Sequence, residues 1–452
     1  MKRISHAWLL TFVSNILSLV LGIGNSILLG RLLQPEGRGA LASVLFWPHF
    51  IAGVGTLSIN ESIAYRISLP GSDSKYIRSA AIWLSLYLAI INCFIAYPLI
   101  PYLLGNTRLE FIPLTQFYAI IFIPFSLFTI NLLALDQGRL DFVRFNLLRL
   151  MQPMLYILSV LWLWTSGYLT VTYLAYAALL TTFITAFSRA YFLRDKNIIG
   201  FSLPIRKEAK EILSMGLKFQ ITNLFMFANA EADKLIIILL SDNTTLGLYT
   251  VALAVASAGL GILTQTFTTV IFPYISKLDT ASSQSLLIAR SLRYSVILLI
   301  CCNLIMAAIS PYLLPFLFGK AYESAVFITI VLFIAFIFKG IRKIMIYNLR
   351  GMGKTKAGTL AEAIALCVFV TSAGYLFRQM ELVGVGIAIL LSDIAALIYL
   401  TWYFQKTMNL SFRNWWGLDS STIIEIFGIL RNLIANIYLR FRIYAEPEGG
   451  KV

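Results

Sequence analysis

Charge, histidine and cysteine are all scarce in this chain, and the common signatures of catalysis are absent. Only 13% of the 452 residues are charged, against about 25% in an ordinary soluble domain. Histidine occurs twice, at His6 and His49, and cysteine four times. There is no G-x-x-x-x-G-K-[ST] phosphate loop, no G-x-G-x-x-G and no H-E-x-x-H, which removes the usual nucleotide and zinc chemistries. Cys93, Cys301, Cys302 and Cys367 have no metal-ligand spacing and fall inside apolar segments. They read as packing residues rather than a redox or zinc site.

What is present is apolar. Hydrophobic residues make up 59% of the chain and mean hydropathy is +0.81, so the sequence predicts an all-α polytopic membrane protein. A span needs about 20 apolar residues. Twelve segments reach that length, at 8–30, 41–64, 80–104, 112–134, 147–166, 170–193, 213–240, 246–274, 294–318, 324–341, 358–377 and 382–404. Met1-Lys2-Arg3 leads directly into the first of them without a small-residue cleavage site, so that span is expected to be retained.

The net charge of +15 raises nucleic acid as a partner, but its distribution argues for topology instead. With the N-terminus inside, Lys2, Arg3, Arg66, Arg78, Arg139, Arg144, Arg149, Arg189, the connection 194–212 and the group Lys339 to Lys356 collect on one side. The other side holds Arg31, Arg38, Arg108, Lys320 and Arg378. This asymmetry follows the positive-inside rule and places both termini in the cytoplasm. Connections on the external side are all short, whereas membrane glycan polymerases and ligases carry a large external acceptor loop.

Residues 9–64 and 217–272 repeat one plan at a fixed offset of 208 positions, with Asn15 matching Asn223, Gly39 Gly247, Gly53 Gly261 and Thr56 Thr264. Two like halves of six spans each, in the same orientation, are the usual build of a transporter with its site between them. The expected units are a lobe at 1–193, a cytoplasmic linker at 194–212, a lobe at 213–404 and a tail at 405–452. In the tail, Trp415-Trp416 precede an amphipathic, basic stretch at 422–443. It reads as a helix lying in the cytoplasmic leaflet, with a thirteenth span as the rival.

Helical wheels put polar or small groups on one stripe of four spans. Span one carries Asn15, Ser18, Gly22, Asn25 and Ser26, and span two His49, Gly53, Thr56 and Asn60. Span seven carries Asn223, Asp233 and Lys234, and span eight Ser257, Gly261, Thr264 and Gln265. Such groups avoid hydrocarbon, so they face either a cavity or a tightly packed neighbour. Glu231 and Lys234, three residues apart, either neutralise one another or serve as an ion site and an anion contact. Asp233, Glu362 and Asp393 are further intramembrane acids that could bind a coupling Na⁺ or H⁺. Arg31, beside the Pro35 turn, stands where it could meet a phosphate. Glu61, near the inner end of span two, reads as interfacial, and His49 as a packing residue or a cavity contact.

Several segments resemble those of bacterial oligosaccharide flippases of the O-antigen and polysaccharide type. LLQPEGRGALA (Leu32 to Ala42) is similar to the family's L-G-P-x-G-x-G-x-x-A turn. ADKLIIILLSDNTTLGLYTVALAVA (Ala232 to Ala256), FPYISKL (Phe272 to Leu278) and LDQGRLDFVRFNLLR (Leu135 to Arg149) are similar to later family segments. These flippases belong to the multidrug/oligosaccharidyl-lipid/polysaccharide exporter superfamily. The resemblance implies a V-shaped pair of six-helix lobes, a central cavity lined by spans one, two, seven and eight, and alternating access. The implied substrate is an undecaprenyl-diphosphate-linked oligosaccharide moved across the bacterial inner membrane. Glycan polymerases and glycosyltransferases are the implied partners, and no cofactor beyond a coupling ion is expected. Rival readings are a cation-coupled multidrug antiporter of the same fold, a membrane glycan polymerase and a non-transporting scaffold.

Overall fold

The computed structural model describes residues 2–69, 74–139, 141–194, 206–275 and 281–408, with Phe412 and Trp416. Every regular element among them is helical. The first half of the chain comprises α1 (Lys2–Gly55), α2 (Ile59–Ser68), α3 (Ser74–Leu104), α4 (Ile112–Gly138), α5 (Phe142–Thr165) and α6 (Val171–Arg194). The second comprises α7 (Arg206–Leu240), α8 (Asn243–Ile275), α9 (Ala281–Phe318), α10 (Val326–Gly351) and α11 (Thr355–Met408). By length and composition, eight helices among the described residues are apolar enough to cross a membrane. The linker segment 195–205 and the predicted tail helix at 422–443 lie outside the described residues.

Helices α1 and α11 have 54 residues each, more than twice the roughly 20 that one crossing requires. Each is broken once. In α1 the break is Gln34 (φ 57, ψ 175), because a residue before proline is pushed out of the helical region. Pro35 also lacks the N–H that would bond to Arg31 O, and the Gln34 side chain donates to that carbonyl instead, at 3.0 Å. The contacts show that the chain reverses there. Going up the first arm, Asn146 of α5 meets Thr11, and Val160 and Leu163 of α5 meet Leu29. Leu41, on the second arm, packs into that same upper cluster. The loop expected around Pro35 is thus a one-residue reversal. In α11 the break is Glu381 (φ 50). Gly384 then packs so closely on the Leu376 backbone that any side chain would overlap it.

We call the face where α1 begins the starting face and the other the opposite face. A second interruption separates α1 from α2. Leu57 (φ 49) and Ser58 (φ 52) adopt left-handed conformations without being glycine, at a cost of about 1–3 kcal/mol each. The carbonyls released by the break are not left orphaned. Gln220 of α7 donates to Val54 O at 3.0 Å, and Asn92 of α3 to Gly55 O at 3.2 Å. Span two, expected as continuous over 41–64, is therefore split in its inner third.

The sequence repeat is visible as geometry. Before α4 the chain turns at Gly105 (φ 64) into a 3-10 turn, Asn106–Phe111; before α10 it turns at Gly319 (φ 100) into another, Lys320–Ala325. Helices α4 and α10 are the most enclosed of their halves, with Phe122, Ile123 and Leu127 buried in one and Leu332, Phe336 and Met345 in the other. Repeat mates also touch. A Cβ on Gly39 would overlap Asn243 O, and a Cβ on Gly247 would overlap Pro35 O. Gly39 and Gly247 are repeat mates, and so are Pro35 and Asn243. This is an isologous contact of the kind made across a two-fold axis.

Candidate functional site

Between α1–α2 and α7 lies a cavity of about 330 Å³, within the range of small-ligand sites. Its walls include Gly53, Thr56, Ser58, Asn60 and Glu61 from the first half, and Gln220, Asn223, Met226 and Phe227 from the second. Of the stripes expected on spans two and seven, Gly53, Thr56, Asn60 and Asn223 face this space, whereas His49, Asp233 and Lys234 are not among its walls. Asn223 donates to Ser58 Oγ at 3.0 Å and to Glu61 Oε1 at 2.8 Å, and Ser58 donates to Gln220 Oε1 at 2.6 Å. Glu61, which is exposed, lines this cavity. Phe227 covers Gly53 so closely that a side chain there would collide with the ring, and Phe50 sits 5.5 Å from it.

The stripe of span one is gripped by a cation that its own pattern does not contain. Arg149 of α5 donates to Asn15 Oδ1 and lies 3.3 Å from Ser18 Oγ. In the second half Arg350 of α10 lies against the Met226 sulfur. Both were grouped with the cytoplasmic charges on sequence. The Asn25 amide oxygen is buried without a hydrogen-bond partner. Thr264 and Gln265 lie on α8, but their side chains fall outside the described residues.

Nearer the opposite face, Lys234 Nζ pairs with Glu231 Oε2 at 2.6 Å, so the self-neutralising arrangement is formed. His49 Nδ1 is 2.6 Å from Leu45 O and its ring lies 4.0 Å from that of Phe122. Asp233 turns away from both. It is 3% exposed, accepts from Tyr249 Oη at 2.6 Å and takes the Lys234 backbone N–H at 2.7 Å.

Asp233 instead borders a small void shared with Asp393 inside the second half, beside the buried ion pairs of Arg342 with Glu362 and Asp393. Arg342 of α10 sits between the acids, 2.5 Å from Glu362 and 2.6 Å from Asp393. Its Nε–H is not aligned on Asp393, so that contact is an ion pair without a hydrogen bond. Asn229 donates to Glu362 Oε2 at 2.8 Å. Asn229, Asp233, Lys339, Arg342, Ser392 and Asp393 surround a void of about 10 Å³, roughly the space of one water. Lys339 and Arg342, counted on sequence as cytoplasmic topology charges, are 8% and 2% exposed; they compensate buried acids. Among the described residues no group of three or more His, Cys, Asp or Glu is placed to hold a metal.

The halves are tied at both faces. At the opposite face Arg108, only 1% exposed, crosses from the first 3-10 turn to the end of α7. It donates to Ile238 O at 2.5 Å, Ser241 O at 2.9 Å and Asn243 Oδ1 at 2.8 Å. Tyr322 holds the matching place in the second 3-10 turn and donates to Gly30 O at 3.2 Å. Gly30 and Ile238 are again 208 apart, so each half latches onto the same carbonyl of the other. Arg31, which on sequence could meet a phosphate, donates to Leu317 O at 2.6 Å and to Phe316 O, capping α9 from the first half. At the starting face Arg66 pairs with Glu208 and Glu211 of α7.

A helical membrane protein built from two interlocked repeats around a polar cavity has the fold of the multidrug/oligosaccharidyl-lipid/polysaccharide exporter superfamily, and solved structures agree. An inward-facing multidrug resistance MATE transporter of that superfamily superposes with TM-score 0.71 at 17% identity, covering 86% of this chain and 94% of that one. The lipid II flippase MurJ in an inward closed conformation gives 0.72 at 17%, covering 97% and 99%. A superfamily transporter from Pyrococcus furiosus, described as having a binding pocket of reversed polarity, gives 0.61 at 17%, covering 88% and 95%. No curated protein matches the chain in sequence. The family described as "Polysaccharide biosynthesis protein" matches residues 5–279, and the chain belongs to that family.

Proposed function

We propose that this protein is a flippase that carries undecaprenyl-diphosphate-linked oligosaccharide across the bacterial cytoplasmic membrane during surface polysaccharide assembly, including O-antigen. The observation that carries this reading is the polar cavity between α1–α2 and α7, set in otherwise apolar helices and closed off at the opposite face by the interlocked repeats. Residues 1–193 and 213–404 act as two lobes that rock about the opposite-face contact, with 194–212 as linker and both termini in the cytoplasm. The glycan occupies the cavity while the prenyl chain stays in lipid. Arg149, Arg350 and Lys234 are the cations available to the diphosphate. Asp233, Glu362 and Asp393 form the coupling site. Arg342 already supplies a full positive charge there, which favours a proton over Na⁺ as the coupled ion.

A second reading, a cation-coupled small-molecule antiporter, draws support from Glu61 and Glu231, acids that would attract cationic substrates. Deleting the gene separates the two. The flippase reading expects lipid-linked glycan to accumulate on the cytoplasmic leaflet, with rescue by wild type and not by Arg149→Ala combined with Lys234→Ala. Dye sensitivity with intact glycan export would instead establish the antiporter. Elongation of glycan from a nucleotide sugar by the purified protein would overturn both.

A further inference from the structure

We propose that the cavity at the α1–α2 break is a sugar-ring site that accepts neutral or amino sugars and rejects acidic ones. This rests on the flippase reading above and names the part of the substrate that the cavity selects.

Two kinds of surface meet in this space. One part of the lining carries the Asn60, Gln220 and Asn223 amides and the Glu61 carboxylate, with the Thr56 and Ser58 hydroxyls buried among them. That is a dense set of donors and acceptors suited to sugar hydroxyl and acetamido groups. Leu224 and Phe227, one helical turn along α7 from Gln220 and Asn223, add apolar surface to the lining, against which the C–H face of a pyranose can lie. The polar wall is prearranged. Gln220, Ser58, Asn223 and Glu61 form a chain of hydrogen bonds across the two halves, and Gln220 is anchored to the Val54 carbonyl at the break. One group in the wall is incompletely satisfied, for the Thr56 hydroxyl is buried with no partner.

The charge of the lining decides which sugars fit. Among the described residues lining the cavity there is no Lys, Arg or His, and Glu61 is the one ionisable group. Asn223 occupies Oε1 of that carboxylate, leaving Oε2 for a ligand donor. A uronic acid placed there would set a second carboxylate beside the first, and like charges at such close range repel one another. An amino or hydroxyl group would be welcomed. Arg149 and Lys234 are anchored outside this lining, and Arg350 reaches only its edge, at the Met226 sulfur. Diphosphate and first sugars would therefore be read by separate groups.

The test uses the purified full-length protein in lipid nanodiscs and synthetic short-chain polyprenyl diphosphates carrying glucosamine, N-acetylglucosamine, glucuronic acid or no sugar. We expect the glucosamine and N-acetylglucosamine probes to bind at least about tenfold more tightly than the glucuronic acid probe. Glu61→Gln, nearly isosteric, should narrow that gap to within about threefold. Asn223→Ala should weaken the sugar-bearing probes and leave the sugar-free diphosphate unchanged. If all four probes bind alike, or Glu61→Gln leaves the ranking untouched in a variant with wild-type thermal stability, the sugar site is refuted while the flippase reading stands. If no polyprenyl diphosphate binds at all, the flippase reading fails and the sugar site falls with it. Should Glu61→Gln not fold, Asn60→Ala and Asn223→Ala provide the same comparison of sugar-bearing against sugar-free probes.

Discussion

Removing the Arg108 guanidinium should open the opposite face without emptying the cavity of its polar wall. Arg108 makes three hydrogen bonds across the halves, two of them to carbonyls near the end of α7. Hydrogen bonds from a charged donor are worth about 1.5–3 kcal/mol each, and a cation at a helix C-terminus gains roughly another 0.3–1 kcal/mol. Against this stands the several kcal/mol needed to desolvate the guanidinium. We therefore expect Arg108→Ala to weaken the closed arrangement by about 3 kcal/mol net, a shift of about a hundredfold between closed and open populations. Lysine at 108 cannot reproduce a fork that reaches three acceptors, so Arg108→Lys should recover only part of the loss. The assay is a variant lacking the four native cysteines and carrying His49→Cys, which lies below the seal. A membrane-impermeant thiol reagent applied from the opposite face should label it at least about tenfold faster once Arg108 is removed. If labelling is unchanged while the melting temperature falls, Arg108 is a fold-stabilising residue and the latch is wrong. If neither changes, the buried guanidinium contributes nothing and the energetic reasoning itself is wrong.

The tie at the starting face should act in the other direction. Arg66→Ala breaks two partly exposed ion pairs worth about 1 kcal/mol or less apiece, so it should modestly raise cavity labelling from the starting face, and high salt applied to wild type should mimic it. Arg342→Ser leaves Glu362 and Asp393 buried without their cation, which should cost about 3–5 kcal/mol; the variant should recover stability in Na⁺ that it lacks in choline, while wild type shows no such dependence. Na⁺-dependent melting of the wild type would contradict the proposal of a proton-coupled site. Gly39→Ala should abolish folded expression or transport because its Cβ overlaps Asn243 O, whereas Gly22→Ala and Gly24→Ala, with open space around them, should be close to neutral in a thermal-melt comparison.

The repeat was legible because its first two helices carry no insertion, so glycines and amides recur at one offset. The cavity face was legible for the same reason, since Thr56, Asn60 and Asn223 follow from a helical wheel. The break at Leu57–Ser58 was not, because neither residue is glycine or proline and the interruption is sustained by Gln220 and Asn92 from other helices. Arg149 and Arg350 were hidden by their length. A guanidinium placed at a helix end by its Cα reaches well back into the lobe, and a count of charges per loop cannot see that. Lys339 and Arg342 lie in the interior of α10, which runs on to Gly351 past the expected end of span ten, and the acids that pair with Arg342 lie in the two arms of α11. Arg108 left a usable signal in the chain itself. Gly105 and Gly319, which open the two 3-10 turns, are 214 residues apart, and that offset pairs Arg108 with Tyr322.

The meeting of Gly39 with Gly247 also has a mechanical meaning. A point on a symmetry axis moves least when two bodies turn about it, so backbone can remain against backbone there while everything distant is displaced. At about 1.5 Å per residue, the stretch of α8 from Gly247 to Ile275 is a lever of roughly 42 Å, and a tilt of about 10° at its root sweeps its tip through roughly 7 Å. A side chain at the fulcrum would act as a wedge and set the angle. Two glycines leave the angle to be chosen by Arg66 at one end, Arg108 and Tyr322 at the other, and whatever fills the space between.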